Sequence, residues 1–150
     1  MTASLSHSTE ECAALLHSRG LRVTAGRVAA ISYLSAHPHS SASEVYSALA
    51  CNLPSLSLQS VHNIVQDLSE CGILRRIDLP DSGSARYETQ RLDNHHHVQC
   101  VVCRRIEDVE CAEGLAPCLT PSNNHGMRII EASLTFRGIC RECDATLGNA

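Results

Sequence analysis

The chain of 150 residues has no lysine, only four aromatic side chains and no long apolar run. Each absence excludes something. A membrane span needs about 20 consecutive apolar residues, and a secretory leader opens with basic residues ahead of an apolar stretch; neither pattern occurs, so the chain reads as cytoplasmic, with no membrane partner. So few aromatic rings suffice for a core of Leu, Val and Ile but offer little for stacking on single-stranded nucleic acid. With lysine missing, all twelve basic residues are Arg, whose planar fork suits bidentate phosphate contacts, although genome base composition produces the same bias. No internal repeat or low-complexity tract is visible.

Cysteine, by contrast, is plentiful. Of nine cysteines, three are scattered through residues 1–94 and six fall within 95–150. In a reducing compartment such a cluster is better explained by metal ligation or redox chemistry than by a disulfide framework. The net charge of −4 argues mildly against nucleic acid, but residues 1–91 carry seven Arg against eight acids and residues 92–150 five against eight, so the acidity lies mainly in the C-terminal part. The cysteine map divides the chain in two. A second domain of roughly 55 residues has too little core to stand alone and calls for a metal or a partner subunit.

Helix signals fill the first 70 residues. Ser8 with Glu11 and Ser41 with Glu44 form capping boxes, Thr24 and Ser57 cap two further helices, and Gly20, Pro38 and Gly72 mark helix ends. The fourth helix places Val61, Ile64, Val65 and Leu68 on one face and shows Gln59, Ser60, His62, Asn63 and Gln66 on the other. After it, ILRRIDL and ARYET flank the turn PDSGS, a strand, turn, strand signal. Helices followed by a two-stranded wing have the order of a winged helix-turn-helix. Such a motif lays its recognition helix in the major groove of double-stranded DNA, so Ser57 to Gln66 are expected to face bases, with Arg19, Arg22 and Arg27 gripping phosphates.

The expected fold class is α+β: a winged-helix DNA-binding domain over 1–90, a hinge at 91–94, and a small α/β domain for dimerisation and metal binding over 95–150. In the latter, IEDVE and MRIIEASLTF read as strands, and the segment between them as turn-rich with a short helix.

The strongest chemical signal is the pair Cys100-x-x-Cys103 and Cys140-x-x-Cys143. Two residues between thiolates let a tight turn aim both sulfurs at one ion, and two such turns complete a tetrahedral zinc site. With no position left for water the site is structural. Just ahead lie His95, His96 and His97; on a strand, His95 and His97 share one face and His96 points the other way. Two imidazoles on one face need oxygen ligands nearby to hold iron or manganese rather than zinc.

The segments LRVTAGRVAAISYLSAHPHSSASEVY, SLQSVHNIVQDLSECGILRRI, SARYE, HHHVQCVVC, IEDVE and GICREC follow the order of the ferric uptake regulator family, over nearly the whole chain. Through DVECAEGLAPCLT the chain resembles the catalase-associated FurA and CatR type. The resemblance implies a regulatory Fe²⁺ or Mn²⁺ site at the hinge built from His39, Glu88, His95, His97 and Asp108. Asp rather than Glu at position 108 resembles the peroxide-sensing branch, in which oxidation of a ligand histidine at bound Fe²⁺ releases DNA. A homodimeric repressor of catalase and oxidative-stress genes and of its own gene is then expected; the alternative is an uptake repressor answering to iron, zinc or nickel and indifferent to peroxide. A further metal site from His96, Glu113, His125 and Glu131 is conceivable, as is a thiol switch at Cys111 and Cys118. Two positions depart from the family pattern: His62 stands where Tyr is usual, and Arg104 where Gly commonly follows the first cysteine pair.

Enzyme readings fare worse. A zinc hydrolase or deaminase needs H-x-E and a Pro before the cysteine pair, and this chain has neither. A dithiol oxidoreductase would hold no zinc tightly, and no small organic substrate is expected. A zinc-braced interaction module without DNA binding fits the negative charge, but not the polar helix face and wing.

Overall fold

Side-chain caps set the start of each of the first four helices. Ser8 opens α1 (Thr9–Ser18), Thr24 α2 (Ala25–Ala36), Ser41 α3 (Ala42–Leu49) and Ser57 α4 (Leu58–Glu70), each accepting from the backbone N–H three residues on. Gly20 and Gly72 follow α1 and α4 with φ of +70° and +76°, a left-handed conformation that lets the chain leave a helix without a Cβ clash. The computed structural model describes residues 7–80, 82–91, 93, 95–111, 119–130 and 132–148. They divide into two units that part between Gln90 and Arg91.

The first unit is built on the apolar face of α4. Val61, Val65 and Leu68 bury against Leu16 of α1, Ile31 and Leu34 of α2 and Val45 of α3 in one cluster, all essentially inaccessible to solvent. Transfer of such side chains from water contributes about 1.5–3 kcal/mol each and holds α4 with its polar face outward. Two strands follow, β1 (Leu74–Ile77) and β2 (Arg86–Thr89), paired antiparallel as the wing. The loop after α2 is stitched to this wing: Tyr87 donates its backbone N–H to the Ser40 carbonyl at 2.9 Å, an isolated bridge beside His39.

Arg86 reinforces that stitch. Its guanidinium donates to the Glu44 carboxylate at 2.6 Å and lies 3.5 Å from the His39 carbonyl oxygen. Burial pushes the Glu44 carboxyl up, but hydrogen bonds from the Ser41 backbone and hydroxyl, together with Arg86, outweigh it and hold the group below its ordinary value. A lowered folded-state pKa contributes stability at neutral pH that disappears as pH falls through that lowered value. Because the carboxylate is half exposed, Glu44→Gln is expected to cost only about 0.5 kcal/mol at pH 7. Urea unfolding of the two proteins should differ at pH 7 and converge below the carboxylate range; a difference that persists there would mean that the charge is not the cause.

The second unit is a mixed sheet. Strand β3 (His95–Cys100) lies between β4 (Ile106–Glu110), antiparallel to it, and β5 (Thr135–Gly138), parallel to it, and helix α5 (Arg141–Gly148) ends the described chain. The long strand expected from MRIIEASLTF is corrected here: only its last residues belong to β5. Ile130 is 70% and Phe136 46% exposed, so the alternation of apolar side chains has no layer to cover it among the described residues of this unit. Helix α5 was not foreseen. The segment 112–118, with Glu113 and Cys118, and residue Glu131 lie outside the described residues.

Burial in this unit is unusual. Its buried residues, among those described, are His95, His96, His97, Gln99 and Cys100, with no aliphatic side chain among them. Among the described residues of this unit seven large apolar side chains are instead exposed: Val102, Leu119, Met127, Ile130, Phe136, Ile139 and Leu147. A sheet with no aliphatic core needs another source of cohesion. Among the described residues, no helix is long and apolar enough to cross a membrane.

Candidate metal centres

The four cysteines predicted to act together do meet. Cys100 ends β3, Cys103 lies in the turn after it, Cys140 precedes α5 and Cys143 sits in the first turn of that helix. Their sulfurs all lie within 4.8 Å of one another, with Cys103 Sγ and Cys140 Sγ 3.8 Å apart. Zinc–sulfur bonds of about 2.3 Å in a tetrahedron put neighbouring sulfurs about 3.8 Å apart, so the donor set fits zinc.

Backbone geometry polarises the cluster. The N–H of Cys140 points at Cys100 Sγ at 3.4 Å. This contact, with a second from the Cys103 backbone, pulls the Cys100 thiol down to about 6, whereas its hydrogen bond with the Cys140 side chain pushes Cys143 up to about 12. Arg104, where the family pattern has Gly, holds φ +67° and returns its N–H to the Cys100 carbonyl at 3.0 Å. The knuckle turn therefore keeps the shape a glycine would adopt, at the steric cost of a Cβ in the left-handed region.

Each unit also carries nitrogen and oxygen donors. In the first, His39 takes φ +65° in the loop pinned to the wing, and its Nε2 lies 3.2 Å from Glu88 Oε2 on β2. Glu88 is nearly inaccessible to solvent, as is unusual for a carboxylate. In the second, His95 and His97 share a face of β3, with ring centroids 5.1 Å apart. Asp108 stands directly opposite His97 in the β3–β4 register, its Oδ1 3.6 Å from His97 Nε2 and 4.0 Å from His95 Nε2. Glu107 is directed elsewhere: it pairs with Val98 and lies 3.5 Å from Arg105. The acid facing the histidines is thus Asp108 and not its neighbour.

Some partners were not anticipated. Asp93 accepts from His95 Nδ1 at 2.8 Å, which orients the ring and leaves Nε2 toward Asp108. Arg75 and Arg91 approach Glu88 and Asp108. An acid two residues before a histidine, or an arginine facing an acid across a hairpin, is a signal too common to single out in one sequence. His96 is buried and His125 is exposed at φ +50°; neither joins a group of three or more close donors among the described residues. Cys111 is partly buried.

The polar face of α4 carries the residues expected to meet bases. Ser57, Gln59, His62, Asn63 and Gln66 are exposed and Ser60 partly so. Gln59 donates to Asn63 at 3.1 Å and Gln66 to Glu70 at 2.9 Å. Of the three arginines expected on phosphates, Arg22 is exposed. Arg19, also exposed, donates to the Cys71 carbonyl at 2.6 Å, and Arg27 pairs with Asp67 of α4 at 2.7 Å, contacts that fasten the helices to one another.

A winged helix-turn-helix joined to a small sheet bearing a four-sulfur cluster and clustered imidazole and carboxylate donors defines a metal-responsive transcriptional regulator, not an enzyme. The model of the ferric uptake regulator family matches residues 18–137, and the chain belongs to that family. It is 40% identical over 136 residues to the transcriptional regulator FurA of Mycobacterium tuberculosis, covering 91% of this chain and 92% of that one. It is 32% identical over 148 residues to the peroxide-responsive repressor PerR of Staphylococcus aureus, covering 93% and 94%. Among solved structures, the ferric uptake regulator of Francisella tularensis with iron superposes with a TM-score of 0.68 at 25% identity, covering 83% of this chain and 96% of that chain.

Proposed function

We propose that this protein is a homodimeric, DNA-binding repressor that senses peroxide through Fe²⁺ held at the hinge, and that it controls catalase and other oxidative-stress genes along with its own. The observation that carries this reading is the strand register that sets Asp108, and not Glu107, against His97 and His95. A carboxylate one methylene shorter than Glu at this point is the mark of the peroxide-sensing branch in the resemblance described above, and one relative is itself named as peroxide-responsive.

His39 and Glu88 from one unit, with His95, His97 and Asp108 from the other, hold the regulatory ion. Three imidazoles and two carboxylates without sulfur suit Fe²⁺ or Mn²⁺. Ferrous iron, when bound, would supply the one-electron chemistry by which peroxide puts one oxygen on a neighbouring imidazole carbon, the ring giving up the two electrons and the C–H proton and the second oxygen leaving as water. An oxidised ring is a poorer nitrogen donor, so His39, His95 or His97 lets go and the two units are no longer tied. While tied, they fix the spacing of two recognition helices in a dimer, which matches two half-sites on one duplex. The exposed apolar side chains of the second unit form the surface that a second copy covers, and zinc at the four cysteines braces that unit.

Anaerobic gel shifts with the DNA upstream of the protein's own gene test the reading. Binding should require Fe²⁺ or Mn²⁺ and be lost after peroxide only in the iron form, with one added oxygen on His39, His95 or His97 by mass spectrometry. Iron-dependent binding that ignores peroxide would select an uptake repressor instead.

A further inference from the structure

Each carboxylate of the two donor groups divides its oxygens in the same way. Glu88 turns Oε2 to His39 Nε2 at 3.2 Å and Oε1 to Arg75 Nη1 at 4.0 Å. Asp108 turns Oδ1 to His97 and His95, and Oδ2 to Arg91 Nη1 at 3.5 Å. Arg75 reaches Glu88 from directly opposite on the wing, as its cross-strand partner between β1 and β2. Both guanidiniums are partly withdrawn from solvent, Arg75 the more deeply, so their charge is only partly screened.

We propose that Arg75 and Arg91 are built-in counter-ions, which hold the two acids oriented when no metal is bound and then oppose the incoming dication. This inference rests on the regulatory site proposed above. A buried carboxylate without a positive neighbour is costly, and for Glu88 the arginine relieves that cost in the metal-free protein. The same fixed charge then draws on the carboxylate from the side away from the imidazoles and repels a cation across it. Affinity for metal is thereby lowered, and the metal-free fold is preserved, as a reversible sensor requires. A purely orienting arginine would do the reverse and strengthen metal binding.

The test uses the full-length chain with its zinc retained and Mn²⁺ alone as probe, free Mn²⁺ being read by electron paramagnetic resonance. Arg75→Gln and Arg91→Gln are each expected to bind Mn²⁺ about tenfold more tightly than the parent, because a like charge a few ångströms away has been removed. Arg75→Lys, which keeps the charge and loses the fork, should return to the parental affinity. Metal-free Arg75→Gln should melt below the parent and recover more on adding Mn²⁺. Equal or weaker Mn²⁺ binding by both glutamine variants overturns the inference and leaves the site standing. If Arg75→Gln fails to fold, Arg91→Gln in the second unit decides by itself. A parent protein with no Mn²⁺ binding that His39→Ala abolishes would remove the regulatory site and this inference together.

Discussion

Cys103→Ser is expected to reduce bound zinc from about one ion per chain to almost none and to unfold the second unit with it. That unit has no buried aliphatic side chain among its described residues, so little else holds β3, β4, β5 and α5 in place. Binding of a structural zinc is worth about 10–16 kcal/mol in small domains, comparable to or above the whole stability of a typical fold. Elemental analysis reads the zinc, and hydrogen exchange should show loss of protection confined to residues after Gln90, with the helices of the first unit still protected. Zinc retention should also weaken in acid. In the metal-free cluster Cys143, pushed up to about 12, must give up a proton to bind zinc, and below about 6 Cys100 must do so as well, so protons compete with the ion increasingly as pH falls. A Cys103→Ser protein that keeps its zinc and its second-unit protection would show that the four sulfurs do not act as one site.

The second large effect concerns DNA. His39→Ala and His97→Ala should each erase the stimulation of operator binding by Mn²⁺, a loss of about a hundredfold in affinity, near the upper range of coupling between two sites on one protein. The two residues come from different units, so equal loss from either is the signature of an ion that needs both. Glu107→Ala, one residue from Asp108 but facing Arg105, should leave the stimulation intact. Fluorescence anisotropy on labelled operator DNA with and without Mn²⁺ distinguishes the three. Stimulation that survives in His39→Ala while vanishing in His97→Ala would place the whole switch within the second unit.

Much of the fold was legible because its signals are local. Each N-cap is a serine or threonine bonded three residues ahead, and helix-ending glycines stand where φ turns positive. The wing was readable from a polar turn between two β-prone runs, and the sulfur cluster from the reach of two CxxC turns. What misled was apolar alternation around Ile130, which implies a strand only when another layer covers it; here the side chain is largely exposed. Helix α5 escaped notice because none of its residues is buried, so no apolar stripe announces it.

The arginines teach the same lesson. Arg19, Arg22 and Arg27 look alike as candidates for phosphate contact, yet only the structure shows that Arg19, though exposed, is bonded to the end of α4 and Arg27 to Asp67. Long side chains choose among partners that are far away in sequence, and composition cannot rank those choices.

By itself the sequence determined the first four helices, the wing and the meeting of the two CxxC turns, since caps, turns and spacing act over a few residues. Tertiary structure alone decided which acid faces the histidines, which arginines attend the acids, and that the second unit has no aliphatic interior among its described residues. Those outcomes depend on strand register and side-chain reach, where a slip of one residue would exchange Asp108 for Glu107.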